Sequence, residues 1–186
     1  KIASIGLLAD AGAAYRELAA AVKAIGDGAD VFVPTMKSRD VPLEEVVNAW
    51  ITSPAVSELS YIFTYAGKSG YTAPEQAKLL RDVYGADLAT TFAVLSGNAN
   101  LLSAMLSVGF EPGEVTALYM KKFGAGAADT FIVLRKAGLS REQALKAIHD
   151  ASMINGNPLT IAAAVYVLEN AEGRPRFDQS EEMLLT

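Results

Sequence analysis

A single histidine, His149, and no cysteine bound the chemistry open to this 186-residue chain. Thiolate zinc sites, disulfides and cysteine nucleophiles are excluded, and a relay or metal site built on histidine has one imidazole to draw on. His149 lies beside Asp150, and the spacing places it near a helix C-terminus, where an imidazolium interacts favourably with the helix dipole. Capping is therefore expected of it before catalysis. No Glu-x-x-His occurs, which removes the usual carboxylate di-metal bundle. Glu44 and Glu45 are adjacent, so on a helix they point about 100° apart. Asp27-Gly28-Ala29-Asp30 lacks the spaced ligands and terminal Glu of a calcium loop, and its expected role is to terminate a helix. Gly124-Ala125-Gly126, and Gly6 with Gly12, do not follow a strand, so no dinucleotide loop is supported. The expectation is a non-enzymatic protein with no catalytic residue, metal ligand or cofactor.

Net charge is −5, with a pI near 4.9, which argues against a general polyanion binder. A nucleic-acid reading still has a local basis. Residues 128–149 have the outline of a helix-turn-helix. Across 119–150, six basic side chains (Lys121, Lys122, Arg135, Lys136, Arg141, Lys146) face three acidic ones (Asp129, Glu142, Asp150). The second helix, however, offers only Lys146 and His149 toward a groove, where a recognition helix supplies several donors. Lys121, Lys122 and Lys146 are the candidate contacts of this alternative.

Tyr61, Phe63, Tyr65 and Tyr71 gather near the Gly67–Gly70 turn. Tyr61 and Tyr65, four apart, fit the core or rim of a hairpin. In the sharper reading Tyr61, Tyr65 and Tyr71 form part of a partner-binding face. A tail from Arg174 to Thr186 ends Met183-Leu184-Leu185 and could pack back or dock on a neighbouring subunit, so Met183 and Leu184 join the candidate contacts.

The elements that carry these residues are helical. Ala, the best helix former, dominates an apolar fraction of 51%. Ala11, Tyr15, Leu18, Val22 and Ile25 recur at helical spacing, predicting one amphipathic helix from about Ser4 to Ile25, ended by Gly26-Asp27-Gly28. Val31-Phe32-Val33-Pro34 reads as a buried extended connector. No apolar run is long enough to span a membrane, because Asp10, Arg16 and Glu17 interrupt the nearest one. Lys1 is not an initiator Met, which leaves open a removed leader or an upstream start.

From Asp40 onward the punctuation is regular. Thr72-Ala73-Pro74-Glu75 and Ser140-Arg141-Glu142-Gln143 fit the capping box, whereas Glu111-Pro112-Gly113-Glu114 lacks a good cap. Units close on Gly70, Gly109, Gly138 and Gly173, and Tyr71, Phe110 and Leu139 follow the first three, placed to staple the next helix. At a shift of 39 residues, Tyr84-Gly85-Ala86 meets Phe123-Gly124-Ala125, Thr91-Phe92 meets Thr130-Phe131, and Val94-Leu95 meets Val133-Leu134. A short helix over Asn100–Val108 lies between the copies. A further helix, from Asn157-Pro158 to Ala171, is apolar nearly all round and is expected to be buried.

Gly70-Tyr71-Thr72, Gln76, Leu79 and Tyr84-Gly85 carry a pattern that Gly109-Phe110, Glu114, Leu118, Phe123-Gly124 and Ala137-Gly138 repeat. This pattern resembles the two-helix repeat arrays of large bacterial and archaeal surface or secreted proteins. The resemblance implies a structural or adhesive module and no enzyme activity.

The expected fold is all-α without a sheet: a right-handed array of stacked helical hairpins, α-solenoid-like or a compact bundle. Its expected parts are an N-terminal helix and connector (1–39), hairpins at 40–70, 71–109, 110–138 and 139–173, and a tail (174–186). The expected function is protein interaction, with itself or a larger surface, filament or virion assembly as partner. That setting favours the cell surface or a virion over the cytoplasm. A helix-turn-helix nucleic-acid binder is the alternative.

Overall fold

The computed structural model describes residues 2–10, 12–52, 54–160, 163, 164, 166 and 167, with the side chains of 2–4 and 10 left aside. Among these residues there are eleven α-helices and no strand. They are α1 (Ile2–Asp10), α2 (Tyr15–Ala24), α3 (Ala29–Lys37), α4 (Leu43–Trp50), α5 (Val56–Lys68), α6 (Ala73–Asp82), α7 (Leu88–Leu95), α8 (Leu101–Ser107), α9 (Pro112–Phe123), α10 (Ala127–Lys136) and α11 (Arg141–Ile154). The fold is all-α. The chain divides into two compact units, Lys1–Leu101 and Leu102–Thr186.

One turn recurs seven times among the described residues: at Gly26 and Gly156, with φ of 78 and 75°, Asp27 and Asn157 N–H donate to Val22 O and Ser152 O, and at five further places the turn joins apolar residues. Gly12, Asp40, Gly70, Gly109 and Gly138 have φ of 86, 54, 94, 84 and 100°, in the left-handed region. In each case the next residue's N–H donates to the carbonyl five residues back: Ala13 to Leu8, Val41 to Met36, Tyr71 to Ala66, Phe110 to Met105 and Leu139 to Leu134, at 3.0–3.3 Å. This is the Schellman closure, and the residues it joins are apolar at both ends, as that motif favours. A new helix then begins three residues after the turn residue, at Tyr15, Leu43, Ala73, Pro112 and Arg141. The capping boxes form at Thr72/Glu75 and Ser140/Gln143, and Glu111 makes no side-chain cap.

The five turns that join apolar residues lie 28, 30, 39 and 29 apart. The 39-residue shift legible in the sequence is thus the exceptional spacing, lengthened by α8, and the ordinary unit is about ten residues shorter. Glu17, Glu45, Glu75, Glu114 and Gln143 share one place in the first turn of the five helices. Behind them Leu18, Val46, Gln76, Val115 and Ala144 are all buried. Left-handed backbone costs an L-residue with a side chain about 1–2 kcal/mol, least for Asp and Asn. Gly70→Ala or Gly138→Ala should therefore lose about that much stability in urea titration, while Asp40→Gly should lose nothing.

In the first unit helices pack on helices two along and, apart from α5 and α6, on their chain neighbours: α1 on α2 and α3, α2 on α3 and α4, α3 on α4 and α5, α4 on α5 and α6, α5 on α7, and α6 on α7. The Tyr71 hydroxyl donates to Val41 O at 2.6 Å, and the Tyr84 hydroxyl donates to Asn48 Oδ1 at 2.6 Å. These contacts advance in the same sense, so α4 and α6 run parallel. Phe32, Met36, Leu59, Ile62, Phe63 and Leu80 fill the interior. In the second unit α9 packs on α10 and α11, with Phe131, Leu134, Leu145 and Ile148 inside. A Cβ on Gly113 would lie 2.7 Å from the Asp150 Cβ, and Asn155 Nδ2 donates to Ala117 O at 3.3 Å, so α9 and α11 are also parallel and closely apposed.

Four expectations require correction. The predicted helix over Ser4–Ile25 is two helices, because Gly12 turns the chain between them. Val31–Pro34 is not extended: it lies in α3, where Phe32, Val33 and Met36 are buried and Asp30 favours the helix N-terminus. Asp30 therefore begins a helix rather than ending one. Residues 157–160 are not helical, and Ala163 N–H instead donates to Thr160 Oγ1 at 3.2 Å. Ala164 and Val167 beyond it are buried but Tyr166 is exposed, so one side of that segment faces outward. The rest of the predicted 158–171 helix, Gly173 and the 174–186 tail lie outside the described residues.

Candidate functional site

The predicted aromatic face is built by three consecutive helices of the first unit. Phe32 on α3 is buried and its ring lies 5.3 Å from that of Trp50 on α4. Trp50 in turn lies 6.4 Å from Tyr61 on α5, and Tyr61 meets Tyr65 edge-on at 5.2 Å. The rings form a path from the core to the surface, where Tyr61 is 44% exposed. Edge-on and tilted pairs at this separation contribute about 0.5–1.5 kcal/mol each beyond the area they bury. Two lysines frame the path. Lys23 Nζ sits 4.6 Å over the Trp50 ring and donates to Trp50 O, while Lys68 Nζ lies 5.1 Å over Tyr65. The Tyr61 hydroxyl accepts from Ala29 N–H at 3.4 Å, and a Cβ on Gly28 would lie 2.8 Å from that hydroxyl, so Gly28 keeps the place open.

This arrangement presents a half-exposed tyrosine pair flanked by cations, which suits contact with another surface more than bond chemistry. The spacing of Tyr61 and Tyr65 marks one helix face, but nothing in the sequence brings Lys23 or Trp50 to it. That juxtaposition exists only because α2 and α4 run side by side.

Tyr71 does not belong to the face, a correction to the sharper reading. It is buried, Lys37 Nζ lies 4.2 Å over its ring, and its carbonyl accepts from Gln76 Nε2 at 2.9 Å. Burial, with Glu75 and Asp40 nearby, pushes its phenol up to about 12. Tyr84 is pushed to about 12 as well, by burial and then Glu44. The Glu75 carboxyl is held low by hydrogen bonds from Thr72, as its capping role demands. Met183 and Leu184 lie outside the described residues.

The nucleic-acid candidates sit in the second unit. Lys121 and Lys122 are exposed in the last turn of α9, where cations complement the helix dipole. Lys146 is joined to Asp150 at 2.7 Å, an exposed i,i+4 pair on α11. His149 is not near the end of its helix, since α11 continues to Ile154, and dipole capping is therefore withdrawn. Its Nδ1 and the Thr116 Oγ1 are buried without a hydrogen-bond partner among the described residues. Removing an unpartnered buried hydroxyl relieves its desolvation cost. Thr116→Val should accordingly leave stability unchanged or raise it by about 1 kcal/mol, read as a shifted urea midpoint.

Open grooves of about 520–540 Å³ are found among the described residues. One lies between α2 and α4, lined by Tyr15, Arg16, Glu45, Asn48 and Thr52. Another joins the C-terminal ends of α9 and α11 through Met120, Lys121, Ile154 and Asn155. Among the described residues no three His, Asp or Glu side chains converge as a metal site, and no helix is long and apolar enough to cross a membrane.

No known protein family, characterised protein or solved structure matches the chain.

Proposed function

We propose that the chain is a right-handed array of stacked helical hairpins that works as a structural, protein-binding module, assembling with itself into a larger surface, filament or virion structure. The observation that carries this reading is the sixfold recurrence, Gly26 included, of one turn, one main-chain bond and one helix start three residues on. What the units share is packing and punctuation. Each two-helix unit leaves an apolar side that only a neighbouring unit covers, the arrangement that lets arrays extend. The resemblance of Gly70–His149 to repeat arrays of bacterial and archaeal surface proteins points the same way.

Light scattering across a concentration series tests it. Size should grow with concentration, and a monodisperse monomer at high concentration would sink the proposal. The helix-turn-helix alternative would have to rest on Lys121 and Lys122, because Lys146 already holds Asp150. Gel retardation at low salt, steeply lost as salt rises and abolished by Lys121→Glu with Lys122→Glu, would replace assembly with that reading. We expect no retardation.

A further inference from the structure

The repeat departs from its own pattern three times in one place. Six residues after the turn, Leu18, Val46, Val115 and Ala144 are buried and apolar, and Gln76 is the polar member of the set, 1% exposed. Three residues before the turn, Ala9, Lys37, Leu106 and Arg135 carry side chains, and Gly67 carries none. The helix α8 lengthens the unit between Gly70 and Gly109, and the loop leading into it holds Gly97, Asn98 and Asn100. These departures meet in space. A Cβ on Gly67 would lie 3.3 Å from Gln76 Nε2 and 3.8 Å from Asn98 Nδ2.

All of them border one groove of about 520 Å³ within the first unit, between the end of α5, the start of α6 and the loop after α7. That volume is in the range of ligand sites. Gln76 Nε2 donates to Tyr71 O at 2.9 Å, and among the described residues its Oε1 accepts no hydrogen bond. Asn98 Oδ1 accepts from Asn100 N–H at 2.9 Å, while its Nδ2 donates to no described residue. The groove therefore offers a carboxamide acceptor beside a carboxamide donor, and Gly67 puts no side chain over either. An acceptor calls for a ligand that donates, which a carboxylate or phosphate anion does not. Donor and acceptor side by side are what one peptide group presents. Phe63, Val94 and Leu95 supply apolar wall, and Lys68 is the one charged residue among the lining.

We propose that this groove binds an extended segment of a partner protein through its main chain, with an acidic side chain of that segment at Lys68. The inference rests on the protein-binding reading above and names the chemistry of the partner. In recognition of this kind main-chain hydrogen bonds supply affinity and side-chain contacts supply specificity.

Two-dimensional NMR on the isotope-labelled whole chain tests it, with a blocked alanine peptide carrying one central glutamate as the probe. The side-chain amide signals of Gln76 and Asn98 and the Gly97 N–H should shift saturably at millimolar peptide. The same peptide methylated at every main-chain nitrogen should leave them in place. Gly67→Ala sets a methyl group against Gln76 and suits a helix better than glycine, so it should keep the fold by circular dichroism and weaken binding at least about tenfold. Gln76→Leu installs an apolar residue, as the other units have there, and should weaken binding as much. Signals unmoved by the peptide overturn the assignment, as does equal binding by the Gly67→Ala variant or equal binding of the methylated peptide. A response to methyl glucoside or to acetate where the peptide gives none also overturns it, in favour of a sugar or a simple anion. Light scattering separates this from assembly. A chain that grows with concentration but ignores the peptide loses the groove and keeps assembly; a monomer that binds the peptide loses assembly and keeps the groove.

Discussion

Replacing Phe131 by alanine lowers the unfolding free energy by about 3–5 kcal/mol, the range for emptying a large buried aromatic site. Phe131 lies on α10 with none of its surface exposed, among Leu134, Leu145 and Ile148, which are equally buried. The loss combines the transfer of the ring from the core with the cavity left behind, since close-packed neighbours relax only in part. Against a total stability of about 5–15 kcal/mol for an ordinary domain, such a change is severe. Phe131→Leu keeps most of the volume and should cost less than about 1.5 kcal/mol. Urea titration followed by circular dichroism at helical wavelengths measures both. A loss below about 1 kcal/mol for Phe131→Ala would show that the α10 site collapses freely.

Stability should fall steeply between pH 10 and pH 12, and Tyr71→Phe should flatten that fall. The Tyr71 phenol titrates near 12 in the folded protein against an ordinary value of 10.0. Below pH 10 the hydroxyl is neutral in folded and unfolded chains, and the contribution of keeping it neutral is fully present. Between 10 and 12 the unfolded chain releases the proton while the folded chain holds it, so unfolding gains ground. Above 12 the contribution is gone. A shift of this size corresponds to roughly 2–3 kcal/mol. Tyr84, pushed up to about 12 by burial and then Glu44, adds an effect of the same sign. At neutral pH, Tyr71→Phe leaves the Val41 carbonyl without its donor and costs about 1–2 kcal/mol. Urea midpoints at pH 8, 10 and 11 for both proteins decide the matter; parallel curves would show that Tyr71 does not carry the dependence.

Much of the helical punctuation is legible in the residues. Thr72 with Glu75 and Ser140 with Gln143 announce their caps because that motif is local, needing only four residues. The full repeat is not legible by self-alignment, for two reasons. Inserting α8 displaces the strongest pair of copies to an atypical spacing, and Asp40 stands where the other turns have glycine. Pro34 reads as a breaker in isolation, yet in α3 the burial of Phe32, Val33 and Met36 outweighs the lost hydrogen bond. Tyr61 and Tyr65 are placed by helical spacing, whereas the burial of Tyr71 depends on Val41, thirty residues away, through α4 and α6 lying side by side. Such long-range pairing has no local signature.

The turn at Gly12, Asp40, Gly70, Gly109 and Gly138 stores its instruction in the sign of one dihedral angle and in one bond between main-chain atoms. Backbone groups are the same in every residue, so the instruction is written almost without using the amino-acid alphabet. It asks for glycine or a tolerant substitute at one place, an apolar residue after it, and little more. Two chains could obey it throughout and spell out very different texts. An architecture of this kind is recognised by measuring angles along the backbone sooner than by comparing letters.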